Sequence, residues 1–209
     1  MHILIADDHS IVRLGLKQIV MGIDEVSSVE EAIDGQEALA KIEKNKYDLV
    51  ILDISMPGLS GMDILKTMKD NNVKANVLIL SVHPQEQYAV RAFNLGASGY
   101  LCKGDVNEEM SLAIKKIASG GKYISSSLAE KVVFDKKGDF NKLPHEKLSE
   151  REFQIMLMLA EGKSVKEIAG ELFISDKTVS TYRKRLLEKM RMENNAELIH
   201  YAINNNLIE

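Results

Sequence analysis

The sequence predicts an α/β chain: a doubly wound five-stranded parallel sheet followed by a separate all-α unit of four helices. Three observations predict it. Short apolar runs begin roughly every 25 residues in the first half, the spacing of βα units. Segments of helical period separate those runs, so the strands must be parallel, with helices on both faces. From Leu148 onward the strand pattern disappears, and helix starts marked by Ser or Asn with an acidic residue three positions on follow one another.

The elements follow in order. Ile3–Ala6 is the first strand and ends at Asp7 and Asp8. Ser10 to Val20 is a helix, with apolar residues at Ile11, Leu14, Ile19 and Val20. Val26 to Ala32 is a weaker second strand. Gly35 to Asn45 is a helix with Ala38, Leu39 and Ile42 on one face. Leu49–Asp53 is the third strand, and a turn with Pro57, Gly58 and Gly61 leads into a helix over Met62–Asn71. Val77–Ser81 is the fourth strand, followed by a helix over Glu86–Leu95 that stops at Gly96. Gly99–Cys102 is the fifth strand. A helix over Val106–Ser119 follows, for which Asp105 and Glu108 fit a capped start, and Gly120 and Gly121 end it.

Composition limits the classes available. The chain has 209 residues, 45% hydrophobic and 28% charged, within the range of a globular protein. No apolar run approaches a membrane span, and the early Asp7–Asp8 pair is wrong for a signal peptide. The single cysteine, Cys102, cannot make an intrachain disulfide, which points to a reducing compartment and the cytoplasm. The net charge of -4 hides an asymmetry. Lys177, Arg183, Lys184, Arg185, Lys189 and Arg191 crowd one helix, while the first half carries the acidic excess. A basic helix in an acidic chain suggests nucleic acid.

In a parallel sheet all strands send their C-terminal ends to one edge, where ligands bind. Asp7 and Asp8, Asp53, Ser81 and Lys103 end four of the strands and so gather on that rim. Asp53 alone could be a nucleophile, a metal ligand or a plain loop carboxylate; Ser81 alone a strand-end hydroxyl; Lys103 alone a surface lysine; Tyr100 a core residue. Together they suit phosphoryl transfer to a carboxylate. Crowded carboxylates favour Mg²⁺, and the ion with Lys103 would offset charge on the phosphoryl oxygens. Cys102 is read as a small apolar filler and His83 as a loop residue. His9 receives no role.

These residues carry a resemblance. The Asp7–Asp8 pair, LDISMPGLSG around Asp53, LILS ending in Ser81, and GASGYLCK with Tyr100 and Lys103 make residues 1–121 similar to the CheY-like receiver domain of two-component response regulators. The resemblance implies flavodoxin-like strand order and phosphorylation of Asp53. It implies Mg²⁺ held by Asp8, Asp53 and the Ser55 carbonyl, with Asp7 acting mainly through water. It also implies Ser81 and Tyr100 as the switch pair. Gly104 stands where many receivers carry proline, which excludes a cis-proline at that bond.

Residues 122–147 read as a linker, loop-like at Ser125–Ser127 and Lys136–Gly138, with a short helix possible over Leu128 to Phe134. From 148 to 209, Ser149 with Glu152 and Ser164 with Glu167 form capping boxes, and Leu148 and Phe153 a hydrophobic staple. The four helices run from that first box to Ala160, through Leu172, from Ser175 to Met190, and over Ala196–Asn204. The brief turn at Phe173–Ile174 predicts a helix-turn-helix. On the third helix Val179, Leu186 and Met190, with Tyr182 nearby, face inward. Lys177, Thr181, Lys184 and Glu188, with Ser180 beside them, face out, as in a helix seated in a major groove.

The run LSEREFQIMLMLAEGKSVKEIAGELFISDKTVSTYRKRLLEKM resembles the LuxR-type DNA-binding domain, so the whole chain resembles the NarL/FixJ class. The resemblance implies base contacts from Ser180, Thr181 and Lys184 and phosphate contacts from Lys166, Lys177, Thr178 and Arg183. Tyr182 stands where the family usually has histidine. The implied protein is no enzyme but a transcription regulator controlled by phosphorylation. Its implied partners are a sensor histidine kinase, double-stranded DNA, RNA polymerase and a second copy of the chain when phosphorylated, with no membrane involved. A phosphatase with an aspartyl nucleophile would need an acid two residues after it, where Ser55 stands. A constitutive DNA-binding dimer would not need the acidic rim, nor would a ligand-sensing LuxR-type regulator.

Overall fold

The computed structural model describes residues 1–81, 86–125, 143–205 and 207–208. They form two compact units, divided at Lys136–Lys137. His83 and the stretch over Leu128 to Phe134 lie outside the described residues, as does Lys136–Gly138.

The first unit is a parallel sheet with strands β1 (His2–Ala6), β2 (Ser28–Ala32), β3 (Leu49–Asp53), β4 (Asn76–Ser81), β5 (Gly99–Cys102) and β6 (Tyr123–Ile124). The spatial order is β2-β1-β3-β4-β5-β6. The helices between them are α1 (Ser10–Met21), α2 (Gly35–Lys44), α3 (Gly61–Asp70), α4 (Glu86–Leu95) and α5 (Val106–Ala118). The five expected strands are present in the expected order. The two-residue β6 extends the sheet into the stretch read as linker. It was hidden because two residues give no alternation, and Gly99↔Tyr123 pairing comes from the sheet edge, not from local sequence.

Every residue of β3 and β5 is buried, as continuous apolar strands require when helices cover both faces. Ile3, Ile5, Leu49, Ile51, Leu78, Leu80 and Leu101 point to one face and pack with Leu16 and Val20 of α1 and Met110, Ile114 and Ile117 of α5. Alternation sends Leu4, Val50, Leu52, Ile79 and Tyr100 to the other face. The second strand keeps partly exposed residues because it is an edge.

Two helix details differ from expectation. In α1 the buried positions are Leu16 and Val20, whereas Ile11 and Leu14 are exposed. Two apolar stripes overlap in that helix, and the one continuing through Val12 and Ile19 meets the core. At α5 the Asp105 side chain makes no capping hydrogen bond; a 3₁₀ turn over Lys103–Asp105 runs straight into the helix. Two caps missed in the sequence are present instead: Asp34 accepts from the Glu37 N–H, and Ser60 with Asp63 forms a capping box.

Among the described residues the second unit has four helices: α6 (Glu150–Ala160), α7 (Val165–Glu171), α8 (Asp176–Met190) and α9 (Asn195–Asn204). Both predicted capping boxes form, Ser175 caps α8, and Asn194 caps α9 by accepting from the Glu197 N–H. Gly162 ends α6 with positive φ. The turn before α8 places Phe173 at φ 52°, a left-handed conformation that is unusual for an aromatic residue. Phe153, Ile168, Val179, Leu186, Leu198 and Ala202 fill the core. A 3₁₀ turn over Pro144–Lys147 is joined to α9 by a 2.8 Å hydrogen bond between His145 Nδ1 and the Tyr201 hydroxyl.

Candidate functional site

The strand register assembles the acidic rim. Ala6 lies opposite Leu52, so the next residues, Asp7 and Asp53, leave their strands side by side. Asp53 lies opposite Leu80, one residue before Ser81; Ser81 lies opposite Cys102, one residue before Lys103. Four strands thus deliver their last polar groups at one level.

The groups meet. The Lys103 ammonium lies 2.7 Å from Asp7 Oδ2 and 2.8 Å from Asp53 Oδ2. Asp7 and Asp53 are buried, Asp8 partly so. Asp7 Oδ2, Asp8 Oδ1 and Asp53 Oδ2 receive no well-aligned hydrogen bond, although ion-pair partners stand beside all three. Burial pushes the Asp53 carboxyl up from its ordinary range; the Asp7 charge adds to the push, and Lys103 and the Ser55 amide oppose it. Lys103 moves upward as well: burial works against its charge, but Asp53 and Asp7 outweigh it. Donor atoms of Asp7, Asp8, His9 and Asp53 all lie within 4.8 Å of one another. Close, hard, incompletely satisfied oxygens fit a divalent cation.

The loop behind Asp53 is fixed by absence of side chain. A Cβ on Gly61 would stand 2.2 Å from the Asp53 carbonyl oxygen, and one on Gly35 would stand 2.0 Å from the Leu59 carbonyl oxygen. Ser55 is exposed, and its backbone N–H donates to the Asp53 carboxylate. Tyr100 is fully buried and its hydroxyl shares a hydrogen bond with Ser81. Burial raises the Tyr100 hydroxyl above the ordinary phenol range, against the pull of Ser81.

Sequence reasoning missed two neighbours of this pocket. His9, to which local pattern assigns no role, has its Nδ1 2.9 Å from Asp8 Oδ1 and 3.4 Å from Asp7 Oδ1. Its place directly after the acidic pair was the available signal. Arg13 donates from Nη1 to the Asp7 carbonyl at 2.8 Å and from Nε to Glu31 at 3.1 Å. Lys17 joins the same carboxylate at 2.7 Å, and that hydrogen bond holds Glu31 below the ordinary carboxylate range against the effect of burial.

In the second unit α8 presents the expected faces. Val179, Leu186 and Met190 are buried; Lys177, Ser180, Thr181, Lys184 and Glu188 are exposed. The Thr181 hydroxyl donates back to the Lys177 carbonyl at 2.9 Å. Thr178 is half-buried and its hydroxyl meets that of Ser175 at 2.8 Å. Lys166 is exposed on α7. Arg183 does not stand free: its Nε donates to Asn195 Oδ1 at 2.7 Å. Arg185, outside the contact set that the resemblance implies, is exposed one turn after Thr181.

Residues 3–115 match the response regulator receiver domain, and residues 146–202 match the bacterial regulatory proteins of the luxR family. The chain is 35% identical to the response regulator UvrY of Escherichia coli K12, covering 99% of this chain and 95% of that one. The chain is a two-component response regulator. Response regulator GacA of Pseudomonas protegens is 33% identical over 99% of this chain and 97% of its own. Among solved structures, RcsB of Salmonella enterica serovar Typhimurium, bound to promoter rprA with phosphomimetic BeF₃⁻, superposes with a TM-score of 0.64 at 27% identity, covering 96% and 97% of the two chains. This response regulator therefore combines a CheY-like receiver with a LuxR/NarL-type helix-turn-helix, the architecture of phosphorylation-regulated DNA-binding transcriptional control. Family and fold are those of DNA-binding regulators, not enzymes. Among the described residues no helix is long and apolar enough to cross a membrane.

Proposed function

We propose that Asp53 accepts a phosphoryl group from a phosphohistidine on a sensor histidine kinase, and that this modification controls DNA binding through α8. The observation that carries the reading is the pairing of Lys103 with both Asp7 and Asp53 at the C-terminal edge of the sheet. An Asp53 oxygen would attack phosphorus as the bond to the kinase nitrogen breaks, and the nitrogen would keep the electron pair. Lys103 is within reach of the charge that develops on the phosphoryl oxygens. Asp8, Asp53 and the Ser55 carbonyl would hold Mg²⁺, with Asp7 acting mainly through water, and the ion would supply further positive charge there.

The phosphoryl group carries roughly -1.5 to -2 of charge by analogy with hydroxyl phosphates, in place of the carboxylate's own single charge. Ser81 is placed to hydrogen-bond the new group, which would compete with its present bond to Tyr100. Ser81 and Tyr100 thus form the proposed switch pair, and the changed surface favours a homodimer on a two-fold DNA site. Ser180, Thr181 and Lys184 would read bases, while Lys166, Lys177, Thr178 and Arg183 would contact phosphates. Arg183 must first exchange Asn195 for the phosphate. RNA polymerase is the downstream partner of a DNA-bound regulator. The cytoplasm is the proposed compartment, in keeping with DNA as target and a single buried thiol. Residues 1–121 would be the receiver, 148–209 the DNA-binding domain, and 122–147 the connection, less the residues that β6 takes into the sheet.

Incubation with radiolabelled acetyl phosphate and Mg²⁺ tests the assignment. Wild type is expected to take up label and Asp53→Asn none; equal labelling of both would refute Asp53 as acceptor. Selection of bound sequences from random DNA, with and without acetyl phosphate, tests the control.

A further inference from the structure

We propose that Phe173, at the turn of the helix-turn-helix, packs its ring on the deoxyribose face of the DNA backbone at the edge of the major groove. The inference rests on the reading that α8 enters that groove.

Phe173 is 65% exposed and stands at φ 52°. Both features work against it. The left-handed region penalises a residue with a Cβ, and a phenyl ring left in water gains nothing. Glycine or asparagine fills such a helix end at least cost. The chain follows that rule elsewhere: Gly96, Gly120 and Gly162 follow α4, α5 and α6 with positive φ, and Asn72 follows α3 at φ 54°. Arg191 also turns left-handed after α8, but its charge suits water. At Phe173 the conformation is fixed by two hydrogen bonds. Its N–H donates to the Gly170 carbonyl at 3.3 Å, and the Ile174 N–H donates to the Ala169 carbonyl at 3.0 Å. Strain that stability does not require gathers at functional positions.

Position selects the occupant. Phe173 lies two residues before Ser175, the cap of α8, and four before Lys177. In a helix-turn-helix the first helix crosses the backbone and the N-terminal end of the second reaches the bases, so the turn between them passes over the sugar–phosphate wall of the groove. Lys166 on α7 and Lys177 on α8, the proposed phosphate contacts, are exposed and flank the turn along the chain. The carboxylate nearest in sequence, Glu171, is held by Lys163 Nζ at 2.7 Å, which tempers its repulsion of phosphate. Between phosphates the backbone presents deoxyribose, whose C–H surface suits an apolar ring. An exposed apolar residue far from such a surface would need no explanation.

Phe173→Asn and Phe173→Gly in the full chain, with Phe173→Tyr to keep the ring, decide the matter. Affinity for a selected duplex would be measured across a range of salt after acetyl phosphate treatment. The Asn and Gly variants should bind about tenfold more weakly or worse, the loss expected when one face of a phenyl ring leaves a contact. The slope of log affinity against log salt should stay unchanged, whereas loss of a phosphate contact reduces it by about 0.9. The loss should be alike on sites of different base sequence, and Phe173→Tyr should bind as wild type does. The melting temperature of the Asn and Gly variants should hold or rise, which separates a lost contact from a lost fold. Undiminished DNA affinity in both variants overturns the inference, as does a loss accompanied by a lower melting temperature. A loss seen only beside one thymine, and erased when uracil replaces it, would mark a base contact and overturn the sugar contact. Wild type that binds no duplex would refute the reading of α8 and this contact with it.

Discussion

Lys103 stands between two buried carboxylates that would otherwise repel one another. Removing one partner of a buried ionic cluster leaves charge uncompensated, at a cost of roughly 3–5 kcal/mol. Lys103→Met should therefore unfold at lower denaturant in the absence of divalent ions. A dication should restore part of the loss, so Mg²⁺ should raise the melting temperature of Lys103→Met by more than it raises that of wild type. Thermal melts of both chains with and without Mg²⁺ check this, and equal Mg²⁺ shifts would contradict it. Gly61 offers a second measurement at this scale. A Cβ there would press on the Asp53 carbonyl oxygen at 2.2 Å, against backbone that cannot swing aside. Gly61→Ala should lose about 2 kcal/mol or more and label poorly with acetyl phosphate; a fully stable, normally labelled variant would show that the loop yields. The meeting of these groups on one rim was legible in the sequence; that a single ammonium bridges Asp7 and Asp53 was not, because it depends on strand register and rotamer.

At the scale of elements, α6 depends on its capping box. The Glu152 carboxylate accepts from the Ser149 N–H at 2.8 Å and from Lys189 Nζ at 2.6 Å. Burial would raise its pKa, but the Lys189 and Ser149 hydrogen bonds outweigh it and hold the group below 4.5. The folded value being depressed, the stabilisation is present above the unfolded value and is lost as pH falls through the folded one. The helical unit should therefore weaken on acidification below about pH 4.5, and Glu152→Gln should flatten that part of its stability–pH curve. A curve identical to wild type would remove the carboxylate from the account. The same scale governs α8. Lys177→Ala should weaken binding to all DNA sequences alike and reduce the salt slope by about 0.9. Lys184→Ala should instead change which base is preferred, by roughly 1–3 kcal/mol at one position. Salt-dependent binding curves on selected and scrambled sites separate the two.

Across the whole molecule the chemistry is divided between two compact units, each with its own core. A fragment of residues 1–125 should accept label from acetyl phosphate without the helical unit, and one of residues 143–209 should bind DNA without the receiver. Failure of the first fragment to take up label while folded would mean that the pocket needs the second unit. Phosphorylation should matter to DNA only when both halves are joined, so its effect on affinity should be missing from the isolated helical fragment.

The strands, helices and capping boxes follow from local pattern: apolar runs of strand length, helical period, and Ser or Asn three residues before an acid. Those signals act within one turn or one strand, so they survive without knowledge of the fold. They also carried the rim, because in a parallel sheet every strand end reaches the same edge, and Asp7, Asp53, Ser81 and Lys103 each sit at one. Where the signal is short or the partner distant, pattern ran out. Two-residue β6 forms only because β5 offers an edge to pair with. Ile11 and Leu14 face solvent because another stripe of α1 fits the core better. Asp105 gives up its cap to a 3₁₀ turn, and Arg183 is held by Asn195 across two helices. The approach of His9 to the carboxylates, the grip of Lys103 on two of them and the inward position of Tyr100 were likewise decided in three dimensions. Each depends on strand register and side-chain rotamer together, and a linear pattern specifies neither.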